Sequence, residues 1–406
     1  MEWIDGGVTA ATGFYASGVY AGIKKSRKDM AMVFSVVPAT VAGAFTTNMV
    51  KAAPVRWDIS LIEEMKMAQA VVLNSGVANA CTGTKGKQNN ACMAKAAAEA
   101  LDISEKLVLT ASTGVIGKQL PMDAIASGVK VLAGCLSDTM EAGTLAAESI
   151  MTTDTVKKEA AVTILLGGKK VTVGGMSKGS GMIHPNMATM LAVITTDAAI
   201  SQELLNEAVH EVVSKTFNRI SVDRDTSTND SYMVLANGLA GNEQITKKDA
   251  SYDEFLKALY AVSESLAKKM AADGEGATKL LEVNVIHAVS EKEAEILAKS
   301  VITSNLVKTA VFGNDANWGR ILCALGYSGV QFDPEKVDLV ITSSYGTLSL
   351  VSNGMATDYS EEEATKILSA DAVTVTADMK SGEESATAWG CDLTYDYVKI
   401  NADYRS

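Results

Sequence analysis

Cysteine is sparse in this chain and shows no paired spacing: Cys81, Cys92, Cys135, Cys323 and Cys391 are scattered along 406 residues. Neither a disulfide framework nor a zinc cluster follows from that pattern. Histidine is scarcer still, with only His184, His210 and His287, so a histidine-rich metal site is excluded. No apolar run approaches the roughly 20 residues of a membrane helix, and the first ten residues carry Glu2 and Asp5 where a signal peptide carries bases. The expectation is a cytoplasmic protein with no membrane partner. Bases are outnumbered, 36 against 48 acids, leaving a net charge of −12. Nucleic acid is therefore not an expected partner, because phosphate backbones are met by basic stripes. Internal repeats, low-complexity tracts and proline-rich linkers are missing too, so domain boundaries are weakly marked.

What is present is the composition of a globular chain, 47% hydrophobic and 21% charged. The length corresponds to about two to three domains. Short β-branched runs at Ala31–Val37, Val41–Thr46, Gln69–Asn74 and Lys106–Ser112 read as strands. Asn89 and Asn90 before the alanine-rich Ala91–Leu101 suit a capped helix, and Met122–Leu132 and Met140–Met151 also read as helices. Glycines accumulate from Gly167 to Gly181 around a Val-Thr-Val strand, which fits close backbone approach or turns needing positive φ. Beyond them, Met190–Thr195 reads as a strand and Ser201 as the cap of a helix to about Lys215. Further helices are expected at Tyr252–Ala272 and Glu291–Ser304. Strands are expected at Leu280–Val289, Leu306–Gly313, Val337–Ser343, Ala372–Met379 and Leu393–Asn401. The class is α/β or α+β.

Several chemistries can be weighed on these residues. His210-Glu211 lacks a second histidine four residues on, so the zincin pattern fails and His210 reads as a helix-surface residue. His287, in an apolar strand, reads as a satisfied structural residue. Asp223–Asp230 begins like a calcium loop, but Thr228 stands where glycine belongs and Val234 where a bidentate glutamate belongs. The segment is then either a solvated turn or a polar network buttressing a site. Gly175-Met176-Ser177-Lys178-Gly179 matches G-x-S-x-G, making a serine hydrolase built on Ser177 one alternative. A non-catalytic protein whose glycine loop holds a small anion is another, although Lys178 is not placed as in a P-loop. Thr189 opens a third route. A threonine hydroxyl needs a base, and its own α-amino group, freed by scission of the preceding peptide bond, would serve with a reference pKa of about 7.7 to 8.0.

The stretch Lys178-Gly179-Ser180-Gly181-Met182-Ile183-His184-Pro185-Asn186-Met187-Ala188-Thr189-Met190-Leu191 resembles the self-cleavage region of the ornithine acetyltransferase (glutamate N-acetyltransferase) family of arginine biosynthesis. The likeness extends to Asn74–Gly83, Ser112–Gly117, Met151–Asp154, Asp225–Ser231, Asn317–Ile321 and Asn401–Ser406, in order along nearly the whole chain. The resemblance implies a layered α-β-β-α-type sandwich core with a C-terminal α+β region, divided near residues 1–245 and 246–406. It implies scission of Ala188-Thr189 into an α chain, 1–188, and a β chain, 189–406. Thr189 would then take acetyl from N-acetylornithine and pass it to glutamate in two half-reactions, with Thr113 and Gly114 as the oxyanion hole. Substrate contacts are implied for Thr152, Lys178, Thr189, Glu275, Asn401 and Ser406, and an assembly of two α and two β chains is expected. No metal or bound cofactor is implied. Acetyl-CoA is a possible co-substrate, since some members are bifunctional. One departure stands out: Arg224 occupies a position where the family pattern has glycine, which would be strained if φ there is positive.

Overall fold

A computed structural model describes residues 1–184 and 190–403. The strands begin with β1 (Glu2–Ile4), β2 (Phe14–Val19), β3 (Met30–Phe45), β4 (Met67–Val77) and β5 (Val108–Val115). β6 (Lys158–Leu166), β7 (Lys169–Lys178), β8 (Leu191–Thr196), β9 (Ile220–Ser221) and β10 (Ser231–Ala236) follow. The last are β11 (Leu280–Ala288), β12 (Asp338–Ser343), β13 (Gly346–Ser352), β14 (Met355–Ala356), β15 (Ala372–Asp378) and β16 (Glu384–Cys391). The helices are α1 (Ala53–Met65), α2 (Gly83–Leu101), α3 (Met122–Gly134), α4 (Met140–Ser149), α5 (Gln202–Lys215) and α6 (Ala250–Ala272). They continue with α7 (Glu291–Ile302), α8 (Asn305–Phe312), α9 (Trp318–Gly326), α10 (Glu361–Leu368) and α11 (Tyr395–Ala402). The chain is thus mixed α/β.

Two compact units share these elements. The first holds residues 1–179, 185–218 and 226–270; the second holds 180–184, 219–225 and 271–406. The division falls after Met270, where a boundary near 245 was expected, because α6 packs with the first unit: Tyr232 Oη of β10 lies 2.7 Å from Ser263 Oγ on that helix. Unit 2 also takes two short segments from earlier in the chain, a device no composition shift signals.

Unit 1 contains a nine-stranded sheet in the order β1-β6-β7-β8-β10-β3-β4-β5, with β2 also paired to β3. Period-two alternation divides its strands between two cores. Ala31, Val33, Val71, Leu73 and Leu109 pack with Leu61 and Ile62 of α1, Ala146 and Ala147 of α4 and Ile150 just past its end. Their neighbours Met30, Met32, Ala70, Val72 and Val108 face the other way, against Met93 and Ala97 of α2 and Ile125 and Val129 of α3. Unit 2 is built on a seven-stranded sheet, β14-β13-β12-β15-β11-β16-β9, whose core includes Leu281, Val283, Leu297, Val301, Val373 and Val375.

Three expectations are corrected. Leu306–Gly313 is helix α8: Ser304 Oγ caps it by accepting from Val307 N, and Val307, Ala310 and Val311 share its buried face. Leu393–Asn401 is not a strand but overlaps α11, with Thr394 at the N-cap position; the two edges of β16 are already taken by β11 and β9. Asn89 and Asn90 lie inside α2, not at its start, and donate from Nδ2 to Gln119 Oε1 and Thr110 Oγ1, each at 3.0 Å.

Candidate active site

In unit 1, Thr113 and Gly114 end β5, which runs parallel to β4, and the register of the pair slips at Gly76 and Gly114. Gly114 has φ +127°, and a Cβ there would stand 2.3 Å from the carbonyl carbon of Gly76. Only glycine fits. The buried Asn229 clamps this corner, donating from Nδ2 to Ala78 O at 2.6 Å and to Ser112 O at 2.8 Å. The network reading of 223–230 therefore holds at this residue.

Lys178, the last residue of β7, is buried, and its ammonium donates to Thr152 Oγ1 at 2.9 Å and Thr113 Oγ1 at 3.4 Å. Three residues that the sequence offered as separate candidates thus meet at one cation. A residue it did not single out holds them there. Asp154 Oδ2 lies 3.8 Å from Lys178 Nζ and accepts from Thr152 N at 3.0 Å. Its Oδ1 accepts from Gly179 N and from the fully buried Lys158 Nζ, both at 2.7 Å. Burial works against ionisation of Asp154, but the charges of Lys178 and Lys158 outweigh it and hold the carboxyl well below its usual range. Asp154 belongs to the Met151–Asp154 motif, but nothing in the motif itself marks the acid for this role.

In unit 2, Asn401 Nδ2 donates to Glu275 Oε2 at 2.8 Å, pairing two of the expected substrate contacts. A Cβ on Gly181 would lie 2.3 Å from the Glu275 carboxylate, so the missing side chain there makes room for the acid. Asp223 accepts from the backbone N–H groups of Met182 at 2.7 Å and Ile183 at 2.8 Å, and from Tyr397 Oη at 3.3 Å. Burial raises its pKa in spite of those donors. Arg224, beside it, has φ +71°, so the position does require the left-handed backbone that glycine tolerates. His184 Nδ1 lies 3.0 Å from Ser221 Oγ, and burial, reinforced by Lys299 and Arg224, brings its pKa down to about 4.

Ala188, Thr189 and Ser406 lie outside the described residues. The hydrolase alternative fails on geometry: Ser177 sits within β7, in register with Lys158 and Ala192, not on a strand-to-helix turn, and its buried Oγ has no partner among the described residues. His210 is exposed on α5, as expected. His287 is exposed at a bulge of β11 with φ +53°, and its Nδ1 meets Asp378 Oδ1 at 2.9 Å; it is paired, but not buried as an apolar strand would suggest.

The sequence profile of the ArgJ family matches residues 15–406. The arginine biosynthesis bifunctional protein ArgJ of Caldanaerobacter subterraneus subsp. tengcongensis is 51% identical over 406 residues, with 100% of both chains covered. That of Symbiobacterium thermophilum is 54% identical over 409 residues, again with 100% of both covered. The crystal structure of the arginine biosynthesis bifunctional protein from Bacillus halodurans matches with TM-score 0.50 and 48% identity, over 52% of this chain and 97% of that one. With a match of this breadth, the chain belongs to the ArgJ family, the ornithine acetyltransferase (glutamate N-acetyltransferase) enzymes of arginine biosynthesis.

Proposed function

We propose that the chain cleaves itself at Ala188-Thr189 and then moves acetyl from N-acetylornithine to glutamate through an ester on Thr189. The observation that carries this reading is the meeting of Lys178 with the hydroxyls of Thr152 and Thr113, next to the Gly76–Gly114 register slip. A lysine donating to Thr113 Oγ1 occupies a lone pair and leaves the hydroxyl proton to point elsewhere, toward a developing oxyanion. The polypeptide aligned from the Bacillus halodurans structure is about half as long as this chain, a size that suits one fragment of a cleaved precursor.

In the first step the Thr189 hydroxyl attacks the Ala188 carbonyl. The peptide C–N bond breaks, the nitrogen takes the hydroxyl proton, and water hydrolyses the ester to free both chains. The new α-amine then accepts the hydroxyl proton as Oγ attacks the acetyl carbonyl, and the proton leaves with the amine of ornithine. Glutamate's amine reverses the sequence and collects the acetyl group. Lys178 suits an α-carboxylate, and Glu275, oriented by Asn401, suits an ammonium; Ser406 would add a hydroxyl. The reading requires no metal or bound cofactor. It includes acetyl-CoA as a second acetyl donor, an assembly of two α and two β chains, and residence in the cytoplasm.

Denaturing electrophoresis tests the reading. Wild-type protein should run as two fragments and Ser177→Ala likewise, whereas Thr189→Ala should stay a single inactive polypeptide. A full-length, uncleaved protein that transfers acetyl would refute it.

A further inference from the structure

Overall acidity hides one concentrated exception. Residues 24–28 read Lys-Lys-Ser-Arg-Lys, four cations in five positions, on the loop joining β2 and β3. The loop is held in shape from within: the buried Asp29 carboxylate accepts from the backbone N–H groups of Ala21 at 2.6 Å, Gly22 at 3.1 Å, Ile23 at 2.7 Å and Lys24 at 2.9 Å. It is also tied to the site. The Lys24 stem passes Gly76, where a Cβ would lie 3.0 Å from its Cγ, and Gly76 is the register partner of Gly114. Lys24 Nζ donates to Met151 O at 2.9 Å and Arg27 Nη1 to Thr152 O at 3.4 Å.

Of the four cations only Lys28 is neutralised, by Glu148 at 3.0 Å; among the described residues no carboxylate lies in ion-pair range of Lys24, Lys25 or Arg27. Burial lowers the pKa of Lys24 to about 8 against the pull of Asp29, and Arg27 and Lys178 push it the same way as burial. The fold thus gathers like charges next to the acyl-transfer residues, with Asp29 and Asp154 offsetting Lys24 in part and no described carboxylate in ion-pair range of Lys25 or Arg27. An amino-acid carboxylate needs one such cation, which Lys178 supplies. Three more suit a ligand with several phosphates.

We propose that the β2–β3 loop, through Lys24, Lys25 and Arg27, binds the phosphate groups of acetyl-coenzyme A and so delivers its thioester to the Thr113–Gly114 corner. This rests on the acetyl-transfer reading and adds the place where the phosphorylated donor is held. Five residues are too few for a nucleic-acid stripe but enough for one small polyphosphate.

The test uses the purified, self-processed protein and two donors, acetyl-CoA and S-acetyl-N-acetylcysteamine, a thioester without phosphates. In the exposed pair Lys25→Ala with Arg27→Gln, kcat/KM for acetyl-CoA should fall at least about tenfold, the size of one lost charge-assisted hydrogen bond. Use of the short thioester and of N-acetylornithine should stay within about twofold. Wild-type KM for acetyl-CoA should rise with salt, and that slope should flatten in the variant. Equal losses with all donors, or no loss with acetyl-CoA, would overturn the proposal. Calorimetric titration with coenzyme A itself decides the matter if turnover of acetyl-CoA is absent: saturable binding weakened in the variant upholds the loop site, and no binding overturns it. Failure of N-acetylornithine transfer in the wild type would instead count against the acetyl-transfer reading, leaving the coenzyme A titration to judge the loop.

Discussion

Replacing Asp154 by asparagine changes one charge and little volume, yet it strips the counter-ion from two lysines that water scarcely reaches. Lys158 is fully buried and Lys178 is 7% exposed. Breaking a buried ion pair by removing one partner costs about 3–5 kcal/mol. Here one carboxylate serves two ammonium groups and also accepts from Thr152 N and Gly179 N. An amide offers one acceptor oxygen instead of two, so the upper end of that range is expected. Against a total stability of about 5–15 kcal/mol, such a loss moves the urea midpoint visibly. Because the folded Asp154 carboxyl ionises well below its ordinary value of 3.8, its contribution is present above that value and is lost as pH falls beneath it. Wild-type protein should therefore lose stability in acid over a window where Asp154→Asn is flat. Transfer should suffer as well: with Lys178 no longer held, KM for N-acetylornithine should rise by about tenfold or more, and Asp154→Glu should restore part of it. A variant within about 1 kcal/mol of wild-type stability, with an unchanged KM, would refute the reasoning.

Gly114→Ala should abolish self-cleavage or slow it by about 10²-fold or more, since the added methyl collides with Gly76 and, on the proposed mechanism, would displace an oxyanion donor; time-resolved electrophoresis measures this. Gly181→Ala should raise KM with fragments still formed, because the methyl meets the Glu275 carboxylate at 2.3 Å; steady-state kinetics decide. Arg224→Gly should stabilise the protein by about 1 kcal/mol by relieving a positive φ, read as a higher urea midpoint. With the pKa of His184 lowered to about 4 in the folded state, the unfolded chain takes up a proton first as pH falls below 6.5. Stability should decline between those values, and His184→Asn should remove that part of the decline in pH-resolved denaturation curves.

The legible parts of the fold were those where burial and periodicity agree. β3, β4 and β8 are apolar, β-branched and bonded on both edges, β5 is an apolar edge strand with its first five residues buried, and α6 and α7 carry long amphipathic patterns. Leu306–Gly313 and Leu393–Asn401 misled because valine, isoleucine and tyrosine favour strands in isolation, while the Ser304 cap decides for helix in the first and the occupied edges of β16 leave no place for a strand in the second. At the site, the motifs that carry the family resemblance were enough to name Thr113, Gly114, Thr152 and Lys178. They were not enough to name Asp154, whose role comes from contacts to Lys158, four positions on, and to Lys178 and Gly179, about 25 positions on. Nor was the charge on the β2–β3 loop visible in a net count, because −12 averages over the whole chain.

The position of β8 bears on what self-cleavage would leave behind. This strand starts two residues past Thr189 and lies between β7, antiparallel, and β10, parallel. β10 in turn bonds to β3. A cut at Ala188-Thr189 would therefore make two polypeptides woven through a single sheet, β8 and β10 from one threaded among seven strands of the other. Parting them would mean unzipping the middle of the sheet, so the nick need not loosen the enzyme. The strand that the new chain would begin with is thus bonded on both edges by its neighbours, one of them from each product of the cut.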